Sequence, residues 1–200
     1  MNKGMDSRLL TAVGFATIAV ACVFNAEYTS AWSAENYFKT ELLMGAGQVF
    51  AMVGLVGTIV LQAFASRGLD SPYRVLTFSA FFHVVRLFGG QIGVAAMTRF
   101  IAVREQFHSN MLGLYIQRGS WLTDHRVRML TGGLLPESMG QQEAQQRAGA
   151  ILGLQVRAQA YTLATSDGFV LIVWVVIAYL LLMLLLRPGK ISFNDLSKMQ

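Results

Sequence analysis

Apolar and polar positions in this 200-residue chain are sorted into blocks. Four apolar runs, at about residues 9–25, 42–65, 75–98 and 169–186, contain a single ionised side chain between them, Arg86. A run of roughly 20 apolar residues matches an α-helix crossing the hydrocarbon core of a bilayer. The pattern therefore predicts an all-α, polytopic membrane protein. Three transmembrane helices fall within residues 1–99, and a long extracytoplasmic helical segment occupies 100–166. A fourth transmembrane helix lies within 167–190, followed by a cytoplasmic tail, 191–200.

The runs differ in what they carry. The first, after Lys3 and Arg8, holds Gly14 among Ala and Thr residues. A loop over 26–39 follows, whose Trp32, Tyr37 and Phe38 suit an interfacial aromatic belt. The second run holds Gly45, Gly47, Gly54 and Gly57, with Gln48 and Gln62 as its polar side chains. In water each helical glycine costs about 1 kcal/mol against alanine; in a membrane, glycines let helices approach closely. The third run follows Pro72, which suits the first turn of a helix. It carries His83 and Arg86 near its middle, then Gly89, Gly90 and Gly93, with Gln91 among them. The fourth run, FVLIVWVVIAYLLLMLLL, is preceded by Asp167, read as its N-cap, and closed by Arg187, Pro188 and Lys190.

Between the third and fourth runs, helical periodicity persists through Ile101, Phe107, Met111, Leu114 and Tyr115. Gly and Pro content predicts a turn over residues 131–140. Ser138 and Gln141 then resemble a capping box opening an amphipathic helix over about 139–165. That helix reads either as a cap over the membrane bundle or as a docking surface for a partner.

Composition agrees with the pattern. Hydrophobic residues make up 54% of the chain and charged residues 14%, against about a quarter charged in soluble domains. The net charge of +5 is spread between the spans and forms no dense basic patch, which argues against nucleic acid. The first apolar run has no clear cleavage site for a signal peptide. Cys22 is the only cysteine, so no internal disulfide can form. Basic residues in the N-terminal segment, the 66–74 loop and the C-terminal tail put both termini in the cytoplasm.

Little in the chain points to chemistry. No metal-binding, phosphate-loop or nucleophile motif is present, so neither an enzyme nor a cofactor is expected. His83, His108 and His125 lack metal-ligand spacing, and the spans hold no Asp or Glu. A charge at the centre of a span costs roughly 3 kcal/mol or more, so Arg86 must face protein or water. It has two readings: with His83, Gln91 and Gln48 it lines a polar cavity that contacts substrate or an acidic group on a further helix, or it bonds backbone carbonyls of a neighbouring helix. The glycines, Gly45, Gly47, Gly54, Gly57, Gly89, Gly90 and Gly93, read as helix-packing positions.

The stretch FFHVVRLFGGQIGVA, with Arg86, Gly89, Gly90 and Gly93, resembles the penultimate helix of fourteen-helix drug:proton antiporters of the EmrB/QacA type, in the major facilitator superfamily. The Gln-, Ala- and Arg-rich QQEAQQRAGAILGLQVRAQA is similar to that family's long extracytoplasmic segment. Ala164, Asp167 and Phe169 match its approach to the final helix. Asp6, Ser7, Arg8 and Gly14 resemble the entry to the eleventh helix. LLMGAGQVF resembles the start of the twelfth, with Met44 where an Arg is common. The resemblance implies the last four helices of an inner-membrane efflux transporter. Such a segment is not competent alone; it needs the bilayer and the missing N-terminal helices, and its relatives work with a periplasmic adaptor and an outer-membrane channel. The alternative is a self-contained four-helix membrane protein, structural or sensory, whose external segment binds a ligand or partner. The first expects the Arg86 and glycine faces to be open in this chain; the second expects them covered within it or in a symmetric oligomer.

Overall fold

The computed structural model describes residues 7–27, 29, 34–65, 72–116, 120–134 and 140–185. Every regular element among them is an α-helix: α1 (Ser7–Ala26), α2 (Ala34–Ala65), α3 (Pro72–Tyr115), α4 (Trp121–Leu134) and α5 (Gln141–Leu185). All but α4 are long and apolar enough to cross a membrane. At 1.5 Å per residue, α3 and α5 each run about 65 Å, twice the roughly 30 Å of a hydrocarbon core.

Several boundaries differ from those expected. Helix α2 begins at Ala34, so Tyr37 and Phe38 are helical; Glu35 in its first turn suits the positive end of the helix dipole. Trp32 lies outside the described residues. Of the turn expected over 131–140, residues 131–134 are helical instead, because α4 continues through Gly132 and Gly133 to Leu134, and residues 135–139 lie outside the described residues. Ser138 is likewise outside the described residues. The amphipathic helix and the fourth apolar run are one unbroken element, α5, so Asp167 is not an N-cap. No proline interrupts residues 141–185, and the Asp167 carboxylate is held by side chains from α3.

The chain divides into two compact units. The first contains α1, α2, α3 as far as Ala96 and α5 from Phe169; the second contains α3 from Met97, α4 and α5 up to Gly168. Both cores are built from small side chains. In the first, Thr11, Ala21, Cys22, Asn25, Ala51 and Val176 are buried; in the second, Ala144, Ala148, Ala160 and Ala164. Large apolar side chains such as Leu182, Trp174 and Val53 face outward instead. Water penalises that arrangement and lipid does not, because between helices in a bilayer packing, not hydrophobicity, drives association.

Candidate functional site

The geometry of the first unit follows from how its glycines are shared between faces. A Cβ at Gly14 would collide with the backbone N and Cα of Ala51, and one at Gly54 with the backbone and hydroxyl of Thr11. At Gly47 it would lie 2.9 Å from Ile18 and 3.0 Å from the Gly14 carbonyl. Helices α1 and α2 therefore meet almost backbone to backbone. A polar contact reinforces the pair: the Thr58 hydroxyl lies 3.0 Å from the Ser7 hydroxyl, while Thr11 Oγ1 donates within α1 to the Ser7 carbonyl at 2.9 Å. Helix α5 joins through Phe15 and Tyr179, whose ring centroids are 4.6 Å apart. The Arg8 guanidinium donates to the Met183 carbonyl at 2.8 Å. A cation there satisfies a carbonyl that the end of a helix leaves without an intrahelical partner. Asn25 is fully buried, and among the described residues neither of its amide atoms is bonded.

The opposite face of α2 behaves differently. Val56, Ile59 and Val60 meet Val75, Phe78, Ser79 and Phe82 of α3 around an apolar cleft of about 270 Å³. The helical period carries this face of α3 onward to Arg86, four residues past Phe82, and then to Gly89, Gly90 and Gly93. None of those three glycines has an atom within 4 Å of the place a Cβ would take. Arg86 is exposed and, among the described residues, takes part in no hydrogen bond or ion pair. Across the whole of α3 no residue is buried. On α2 the matching face runs back through Met52, Val49 and Gly45, all exposed. Gly45 also has nothing within 4 Å.

Of the residues expected to line a pathway, Arg86 belongs to this open face. His83 is exposed at its margin, with its ring edge-on to Phe82 at 6.0 Å. Gln48, eleven residues before Ile59, sits at the edge of the α3-facing side of α2 and is exposed. Gln91 falls elsewhere, since five residues past Arg86 is about 140° around the helix. The glycines likewise divide: Gly47 and Gly54 serve α1, whereas Gly45, Gly89, Gly90 and Gly93 are open.

The second unit holds a cluster that the sequence did not single out. Arg104 Nε donates to Asp167 Oδ2 at 2.6 Å, and His108 Nε2 lies 2.7 Å from the same oxygen. The Arg104 guanidinium also stands 5.0 Å from the centroid of the Phe107 ring. Immediately after Arg104, Glu105 accepts from Ser109 and from Arg157, each at 3.3 Å. A Cβ added at Gly168, next to Asp167, would stand 3.5 Å from Met97 Sδ and 3.7 Å from Ile101 Cγ1 of α3, ordinary contact distances. The i, i+4 spacing of Arg104 and His108 is visible in the sequence. Their acceptor, some 60 residues away, carries no local signal. Among the described residues no group of three His, Cys, Asp or Glu side chains is placed to hold a metal ion. No family model, curated protein or solved structure matches this chain.

Proposed function

We propose that this chain contributes transmembrane helices to a larger transport bundle, an efflux protein of the EmrB/QacA type that exports small, hydrophobic compounds in exchange for protons. One observation carries the reading: a helix long enough to span a membrane holds an arginine at mid-span and buries none of its residues. A lone arginine at the centre of a bilayer costs roughly 3 kcal/mol or more, so α3 requires further protein. Transporters of this kind work by rocking one helical bundle against another around a midplane site. Arg86, His83 and Gln48 are the residues proposed to border that site, and the periplasmic adaptor and outer-membrane channel are its proposed partners. The self-contained four-helix alternative needs the Arg86 face covered from within the chain or by a second copy; among the described residues nothing covers it, so that alternative requires the oligomer.

The test is export from cells lacking their own drug pumps, using a fluorescent lipophilic cation and the transporter as its gene encodes it. Arg86→Ala is expected to retain dye inside the cell at unchanged membrane abundance. Wild-type export in that variant at equal abundance would remove Arg86 from the pathway. A wild-type protein that exports none of a panel of lipophilic compounds would remove the transport reading.

A further inference from the structure

The open face of α3 continues the side that lines a cleft with α2, and its one charge states what must complete it. Val75, Phe78 and Phe82 meet α2; four residues later the same face presents Arg86, and one further turn presents Gly89, Gly90 and Gly93 with nothing against them. We infer that this continuation receives another transmembrane helix, bearing an Asp or Glu that pairs with Arg86. The inference rests on the reading that further helices complete the span.

Three features select that occupant. The guanidinium is an obligate cation with donors and no acceptor, so a carboxylate is the group that neutralises it and satisfies its fork at once. The glycines lie one to two turns beyond Arg86, and there a neighbouring backbone can come closest. That fixes the axis of the incoming helix and places its carboxylate about one turn, 5.4 Å, from the point of closest approach. Charge also disfavours a second copy of this chain. A two-fold GxxxG contact sets the same patch against itself, and with α3 parallel to its copy two Arg86 side chains would meet without a counter-ion. Lipid fails for the same reason, since nothing in the hydrocarbon core can accept from Arg86.

The experiment places a photoreactive phenylalanine analogue at His83, on the margin of the open face, in the protein expressed from its own locus in native membranes. Adducts formed on illumination are mapped by mass spectrometry. The expected adduct is a transmembrane peptide containing Asp or Glu. That acid is then changed to Lys together with Arg86→Glu. Arg86→Glu alone is expected to lower the Tm of the detergent-purified protein by about 10 °C, as when a desolvated pair is broken. The double reversal is expected to recover most of that loss, and Arg86→Lys to lose less than half of it. An adduct to lipid alone, to α3 of a second copy, or to a span without an acid overturns the inference, as does a double reversal no more stable than Arg86→Glu. These readouts do not use transport. A chain that exports nothing but cross-links to an acid-bearing helix defeats the transport reading and keeps this one; dye export with lipid adducts does the reverse.

Discussion

The two sets of glycines make opposite predictions for the same substitution. At Gly14 an added methyl would overlap the Ala51 backbone N and Cα and stand 2.9 Å from its Cβ, where ordinary contacts lie near 3.5–4.0 Å. Backbone atoms in two packed helices cannot rotate aside, so α1 and α2 must separate, stretching the nearby contacts of Thr11 with Gly54 and of Thr58 with Ser7. Overpacking of this kind costs about 1–3 kcal/mol. Replacing a helical glycine returns up to about 1 kcal/mol in propensity, so Gly14→Ala is expected to lose roughly 1–2 kcal/mol net. At Gly45 the added methyl meets nothing, and only the propensity gain of about 1 kcal/mol remains. For a chain of this size 1 kcal/mol corresponds to about 2–4 °C, so the two alanine variants should differ in Tm by roughly 5–10 °C. Thermal unfolding of the protein purified as its gene encodes it, in one detergent and followed by circular dichroism, measures the difference. Equal Tm values, or Gly45→Ala as the less stable variant, would refute the division of α2 into a sealed face and an open one.

Other substitutions test the remaining contacts. In a double-mutant cycle, Arg104→Gln and Asp167→Asn should couple by about 1 kcal/mol and less in 1 M salt, as befits a part-exposed pair; additive effects on Tm would show that the pair contributes nothing. Asn25→Ala removes a buried amide that has no hydrogen bond among the described residues and should leave stability unchanged or raise it by up to about 1 kcal/mol in detergent melts; a loss of more than about 2 kcal/mol would mean the amide is satisfied. Arg8→Ala should cost about 1 kcal/mol by leaving the Met183 carbonyl unpaired, and Arg8→Lys, which keeps a donor, should lose less.

The four long apolar helices were legible because an apolar run of that length suits a continuous helix, and Pro72 marked the start of α3 because its ring fits a first turn. The early start of α2 was hidden by Glu35, Lys39 and Glu41, which break the apolar run without breaking the helix. Continuity through Asp167 was illegible for a related reason. An acid before an apolar run looks like a cap until its carboxylate is known to be taken by Arg104 and His108. Glycine content announced close packing but not which glycine serves which neighbour, since that depends on the azimuth of α2 between α1 and α3. Arg86 read as needing partners from the sequence alone, and its surroundings among the described residues supply none.

The closeness of α1 to α2 bears on how the chain is made. Synthesised in order, the two helices can clasp as a finished hairpin while α3 is still emerging, because nothing in their contact waits for a later residue. On the proposed membrane reading, helix α3 has no such shelter among the described residues. A penalty of roughly 3 kcal/mol on lateral release into lipid is more than a hundredfold in partitioning, so its exit from the insertion machinery should be governed by the arrival of neighbouring helices. Chains that miss that meeting would be left with a bare cation in the bilayer, a mark by which membrane quality control can tell an orphaned copy from an assembled one.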